Sequence, residues 1–331
     1  IKEIELLSLD SIEERIKLWD KTIQLVKENP ILGIGAGNWQ YNYAKFSVND
    51  VYMIHQNKTN FQKPHNDYLW VLSETGILGF MLLLFALLLF YKQAINQVKS
   101  TKNKLLIAGV VGYAIISFFS FPAERIIHLF LFIILISLFI DYQSIDKKPV
   151  YKINRLKPII LLGLAFSILV GFYQVYGQYQ TRRMLESKII ADFHGMIKHA
   201  EAALSPFYLT DPTSTPIASY LGFAHYNLGN HSEAFNSSKE AYELAPYDFE
   251  ILSNYGSQLM NSGDYAKANA ILNEAYRINI YNDEIKLNLV VLNYNQKNFW
   301  QAYLWIQEIP NYEQKQSEML TKIIEKLSFE N

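Results

Sequence analysis

The residue types that can do chemistry lie close together near the start of the chain. Arg15 precedes Trp19 by one helical turn; Gly33, Gly35 and Gly37 alternate within Pro30-Ile-Leu-Gly-Ile-Gly-Ala-Gly-Asn38; His65 and Asn66 follow Pro64; Glu74 is the one acid at the head of an uncharged apolar run. An imidazole that titrates near neutrality can take or give a proton, although a lone histidine is ordinarily structural. The arginine can turn inward toward an anionic headgroup or snorkel into water. Alternating glycines allow a tight turn and a close backbone approach. Their successive amides can also cradle a phosphate, but the run lacks the Lys-Ser/Thr of a P-loop and is no dinucleotide fingerprint. A structural turn and an anion site both remain open. An ionisable group such as Glu74 is costly to leave at a membrane boundary without a purpose.

These residues need elements to hold them. Ser11 with Glu14 forms a capping box that predicts a helix to about Asn29, just before Pro30. Ile12, Ile16, Trp19, Ile23 and Val26 make one apolar stripe on it, while Glu13, Lys17, Asp20, Lys21, Gln24 and Lys27 cover the rest. Such a helix suits a membrane interface or the side of membrane spans. Four apolar runs follow, at about 73–91, 105–123, 125–141 and 158–177. Each has the roughly 17–25 residues, or slightly fewer, that a helix needs to cross a bilayer, and none shows a polar stripe. Lys92, Lys99, Lys102 and Lys104 lie between the first two runs, and Lys147, Lys148, Lys152, Arg155 and Lys157 between the last two. Lysine and arginine resist translocation, so both loops are expected on the cytoplasmic side. Residues 1–72 and 178–331 are then expected outside. Arg125, in the outward turn between the second and third runs, is either an interfacial anchor or a further phosphate contact.

The tail repeats. Ala200, Ala234, Ala268 and Ala302 are 34 residues apart, and Pro212 with Pro246, Gly222 with Gly256 and Gly229 with Gly263 keep the step. This period, with small residues where paired helices cross, resembles the tetratricopeptide repeat. Units of this kind stack into a curved solenoid with a concave groove. That groove is either a docking surface for a protein partner or part of a spacer. The third unit is degenerate, with Val290 at a small-residue position and Lys297 in place of the turn glycine; Arg183 to Leu204 reads as an incomplete opening unit.

Taken in order, Arg15-x-x-x-Trp19, the glycine run to Asn38, Pro64-His65-Asn66-Asp67-Tyr68-Leu69 and Glu74-Thr-Gly-Ile-Leu-Gly79 resemble the ligase domain of the O-antigen ligase and O-antigen polymerase family. The resemblance implies an all-α fold: polytopic membrane helices forming the C-terminal part of a GT-C-like core, followed by the repeat solenoid. It implies a bacterial inner-membrane glycosyltransferase, working without metal or other cofactor. Such an enzyme moves a glycan from an undecaprenyl-pyrophosphate carrier to a hydroxyl acceptor, lipid A-core or another, on the periplasmic face. His65 and Arg15 match the family's essential histidine and arginine. Gly33, Gly35, Gly37, Asn66 and Arg125 are candidate contacts to the donor pyrophosphate. The chain opens at Ile1 without a signal peptide, so earlier spans are expected, and this portion alone is expected to be inactive. Tailed relatives look like this chain, and the resemblance implies that the repeats bind the acceptor or a partner enzyme.

Composition narrows the alternatives. A formal net charge of −1 with no dense basic patch gives no case for nucleic acid, and the absence of cysteine removes disulfides and thiolate metal sites. A transporter would need polar or broken helices in mid-membrane, and His128 is the main polar interruption in these runs. A non-catalytic scaffold that recruits periplasmic partners through the repeats is the competing reading.

Overall fold

The structure is a computed structural model and describes residues 2–51, 61–96, 101–139, 153–310 and 314–330. Every regular element among those residues is a helix, with isolated β-bridges besides. They divide into two compact units: residues 1–43 with 61–167, and residues 44–60 with 168–331.

The first unit opens with α1 (Lys2–Glu28). Its backbone is already helical at Lys2, so the Ser11–Glu14 capping box does not open it; the leucines, glutamates and lysine before Ser11 favour helix strongly enough to extend it backwards. The face that packs on protein is not the isoleucine stripe. Leu18, Lys21, Thr22 and Leu25 are buried, while Ile12, Ile16 and Ile23 stay exposed at 54, 57 and 41%. Packing follows the residues that reach protein partners, which leaves the isoleucine stripe for an apolar surrounding. After the short α2 (Trp39–Asn42) and a 3-10 turn at Tyr43–Phe46 come α3 (Asp67–Asn96), α4 (Thr101–Phe119), a 3-10 turn at Pro122–Glu124 and α5 (Ile126–Phe139).

Two helical stretches are long and apolar enough to cross a membrane, Asp67–Lys92 and Lys157–Ile189; Asn103–Phe119 and Ile126–Leu138 are shorter. Of four expected spans, two therefore reach full length among the described residues. Lys99, Lys147, Lys148 and Lys152, on which the expected sidedness partly rests, lie outside those residues. Little of the apolar surface on these helices is covered: 17% of the most apolar window in the first long stretch is buried and none in the second. Uncovered apolar area on this scale requires a non-aqueous neighbour. The first run is also not the plain helix its composition suggests, because Gly76, at φ 65° and ψ −170°, breaks it near its head.

The second unit begins within α6 (Ile153–Ile189) and continues through α7 (Phe193–Ala203), α8 (Ile217–Asn227), α9 (His231–Leu244), α10 (Phe249–Asn261), α11 (Tyr265–Ile278), α12 (Asp283–Asn295), α13 (Phe299–Gln307) and α14 (Gln314–Glu330). The 34-residue rhythm is a packing rhythm: Ala200, Ala234, Ala268 and Ala302 are all fully buried. A Cβ at Gly222 would meet Ser238, and one at Gly256 would meet Leu272. Asp192, Asp248, Asp264, Asn282 and Asn298 cap helix starts with their side chains, each worth about 1 kcal/mol. In the degenerate third unit Val290 is fully buried beside Ala302, Ile306 and Ile323. Lys297 adopts the same left-handed turn (φ 62°) as Gly229 (77°) and Gly263 (86°). A lysine pays strain there that glycine does not, so Lys297→Gly is expected to stabilise the protein by about 1 kcal/mol, read as a raised midpoint in thermal unfolding.

Residues 45–51 also belong to this unit. Val48 N–H donates to Ile278 O (2.9 Å), Ile280 N–H to Asn49 Oδ1 (2.9 Å) and Arg277 Nη2 to Lys45 O (2.8 Å), with Val48 and Val51 fully buried. The segment that leads from the glycine run toward the His-Asn motif is thus held at the elbow between α11 and α12.

Candidate functional site

The site is built in the first unit from α1, the segment 61–66 and the turn at 119–125. Three contacts fix α1 there. Arg15 Nη1 donates to Phe119 O (3.1 Å), Trp19 Nε1 donates to Pro64 O (2.7 Å), and the Trp19 ring meets Phe118 edge-on at 5.7 Å. Trp19 is therefore a strut between α1 and the residue before His65.

His65 sits in the left-handed region at φ 56°, a conformation that costs a non-glycine residue about 1–2 kcal/mol. Backbone strain of this kind concentrates at working sites. Its ring meets Phe121 at 4.9 Å and Phe61 at 5.9 Å, both edge-on, and the Arg125 guanidinium lies 5.2 Å from the centre of the same Phe121 ring. Phe121 thus carries His65 and Arg125 on one aromatic body. Burial, then the charges of Arg15 and Arg125, hold the His65 pKa below the ordinary histidine value of 6.5. The imidazole is neutral at neutral pH and free to accept a proton. Because the folded pKa is the lower one, unfolded chain binds the proton more readily, and acidification through 6.5 lowers stability. NMR titration is expected to place His65 below 6.5, and Arg15→Ala is expected to move it upward by removing a like charge.

Lys63 adds a cation that the sequence reading missed. Its ammonium is 3.7 Å from the centre of the Trp70 ring and pairs with Glu124. Burial pulls its pKa down to about 8, against the attraction of Glu74 and Asp67. Its place beside Pro64-His65 was the available signal, but a lone lysine next to a motif says nothing about burial. Arg15, Lys63, His65 and Arg125 therefore share one locality.

The other candidates fare differently. Asn66 is 2% exposed, and its Oδ1 accepts the Leu69 N–H at 3.0 Å, which makes it the cap of α3. The glycine run resolves toward the structural turn. Gly33 N–H donates to Asn29 O (3.1 Å) and Gly35 N–H to Glu74 O (2.9 Å), so neither amide is left for an anion. Gly37 is exposed, with φ 79° and open space around its Cα. The glycines have a different purpose. Where Gly76 breaks α3, Ile77 N–H turns to Pro30 O (2.9 Å) and Leu78 N–H to Ile31 O (3.4 Å), while Ser73 O and Glu74 O accept from Ile34 and Gly35 (both 2.9 Å). A Cβ on Gly33 would collide with the Glu74 backbone, and one on Gly76 with the Ile31 carbonyl. Two backbones are spliced where only glycines fit. Glu74 finds its purpose here too: its side chain accepts the N–H of fully buried Trp39 at 3.1 Å.

Beside the site, α3, α4 and α5 enclose an apolar cavity of about 200 Å³ lined by Val71, Leu83, Leu87, Val110 and Phe132. Asp67 and Tyr113 also line it, and the Asp67 Oδ1 and Tyr113 hydroxyl have no hydrogen-bond partner among the described residues. Among those residues no cluster of three His, Asp or Glu suited to a metal occurs.

Comparison with known proteins agrees with the resemblance carried by the motifs. Residues 7–84 match the family described as O-antigen ligase, and residues 259–323 match the tetratricopeptide repeat. Arg15, the glycine splice and His65 fall inside the first match; Arg125 and Phe121 fall outside it. No curated protein matches the chain.

Proposed function

We propose that this protein is a membrane glycosyltransferase that moves a glycan from an undecaprenyl-pyrophosphate donor to a hydroxyl acceptor on the periplasmic side of the bacterial inner membrane. The observation that carries the reading is the grouping of Arg15, His65 and Arg125 around Phe121 and Phe119, with Arg15 and His65 inside the stretch that matches O-antigen ligases. In this reading the four apolar helices all lie in the membrane, and the basic loops face inward. The exposed isoleucine stripe of α1 meets lipid or neighbouring helices.

The chemistry follows from charge. As the acceptor oxygen bonds to the anomeric carbon, the carbon–oxygen bond to the pyrophosphate breaks and negative charge grows on the leaving phosphate. Fixed cations in a site of low dielectric stabilise that charge more than water does. The guanidiniums of Arg15 and Arg125 suit this task because their planar forks match phosphate oxygens. His65, held neutral, accepts the proton of the acceptor hydroxyl; donation to the pyrophosphate would require it to be charged first. The neighbouring apolar cavity suits the isoprenoid end of the donor.

The test is full-length protein in nanodiscs with a defined lipid-linked glycan and a hydroxyl acceptor. Release of undecaprenyl pyrophosphate with formation of a glycosidic product is expected, and the product's form separates ligation, polymerisation and protein glycosylation. Equal donor consumption by wild type and His65→Ala defeats the proposal. The repeat match favours one competing reading, a scaffold that recruits partners; repeat-dependent capture of a protein without donor consumption would support it instead.

A further inference from the structure

The repeats contain a cavity of about 220 Å³, lined by residues of α8 and α10 with Ser238 of α9 and Glu284 of α12. Its most informative wall residue is Gln258. That side chain is 7% exposed, lines the cavity, and makes no side-chain hydrogen bond among the described residues. A residue this buried whose amide opens on a cavity can offer its donors and its acceptor to a polar ligand there. Asn254, one turn earlier on α10, is exposed with its amide equally unspent. Ser219 adds a hydroxyl to the same walls, and Ser257 another that already donates to Asn288 Oδ1 (3.2 Å). Opposite them on α8 stand two aromatic rings, Phe223 at 43% exposure and Tyr226 at 46%.

These groups define a ligand chemistry. Each primary amide offers donors and an acceptor together, which matches a partner whose own groups both give and take hydrogen bonds. Half-exposed aromatic faces offer flat apolar surface beside them. A pyranose has both properties: hydroxyls round its edge and an apolar face of C–H bonds. An extended peptide would use the backbone-directed amides but would have little use for two flat rings without apolar depth behind them. The Glu284 carboxylate in the lining and the Lys188 ammonium, 5.5 Å from the centre of the Phe223 ring, give the groove one charge of each sign, which suits a glycan of little net charge.

We infer that this groove binds a segment of a neutral or amino-sugar glycan chain. The choice of glycan over other polyols rests on the glycan-transfer reading, since that reaction supplies such a chain as donor or product. Held on the repeats, the growing or arriving glycan would be retained by the protein between encounters with the acceptor. The residues involved differ entirely from those of the His65 site.

Saturation-transfer NMR on full-length protein in nanodiscs, free of sugar detergents, tests this with maltohexaose, cellohexaose and chitohexaose as probes and a neutral Ala/Ser decapeptide as the competing ligand. At least one hexasaccharide is expected to bind, with affinity reduced tenfold or more in Tyr226→Ala and in Gln258→Leu. The exposed position Asn254→Ala, which leaves packing intact, is expected to weaken binding severalfold, while His65→Ala leaves it unchanged. Helical content measured on each variant establishes that the repeats remain folded. Absence of binding by all three sugars overturns the inference. So does binding that all three groove variants leave intact, or preferential binding of the peptide. Donor consumption measured on the same nanodiscs separates the two proposals. His65-dependent consumption without sugar binding removes only the groove, and sugar binding without His65-dependent consumption removes only the transferase.

Discussion

His65→Ala is expected to lower glycan transfer by about 10²–10⁴-fold, the range for removing a positioned general base, with the protein still folded. Among the described residues its side chain makes no hydrogen bond; its ring contacts are edge-on packing against Phe61 and Phe121. Arg15→Ala is expected to cost a comparable factor, and Arg15→Lys to restore little of it. A lysine at that position lacks the fork that can reach Phe119 O while presenting a second edge to phosphate. The pH profile is part of the same expectation. With His65 held below 6.5, its own part in transfer should stay flat as pH falls from 8 toward neutrality, while Lys63, pulled down to about 8, gains its charge, and transfer should drop once the imidazole gains its proton. Steady-state rates of both variants across that range check these outcomes together.

The second large effect belongs to a residue that touches no substrate. Gly76→Ala is expected to destabilise the protein by more than about 3 kcal/mol and to abolish transfer. A left-handed alanine costs about 1–3 kcal/mol, and its Cβ would drive into the Ile31 carbonyl. The splice it opens carries four backbone hydrogen bonds between 30–35 and 73–78, each worth about 0.5–1.5 kcal/mol. Gly37→Ala is the informative control. It has the same sign of φ, 79°, but nothing within 4 Å of the added carbon, so only strain of about 1–2 kcal/mol is expected. Thermal unfolding of the pair separates strain from collision.

What could be read from the sequence depended on how local the cause was. The 34-residue alanines, the glycines at helix crossings and the degenerate third unit were legible because repeat packing writes its spacing directly into the chain. The apolar runs were legible for the same reason, although the break at Gly76 was not; it needs the 30–35 segment to take up the freed amides. The protein-facing side of α1 was not legible because amphipathic periodicity marks an apolar stripe without saying whether protein or lipid covers it. Lys21, placed on the polar face, is 4% exposed in the structure. Arg15 and His65 were singled out by resemblance, fifty residues apart, with no local pattern linking them. The aromatic hub at Phe121 and the buried Lys63 escaped notice altogether. The hold of residues 45–51 on the α11–α12 elbow joins positions some 230 apart, and nothing in either segment announces it.

All of the transferase reading requires that the site face the side where lipid-linked glycan is displayed. The chain contains no cysteine, so single cysteines report position without background from it. Asn29→Cys, at the exposed end of α1, and Lys104→Cys, exposed in α4, are placed on opposite sides by this account. In intact spheroplasts, a membrane-impermeant maleimide should label Cys introduced at position 29 at once and that at position 104 only after permeabilisation. Labelling in the reverse order would put Arg15 and His65 in the cytosol, away from any periplasmic acceptor, and would contradict the mechanism.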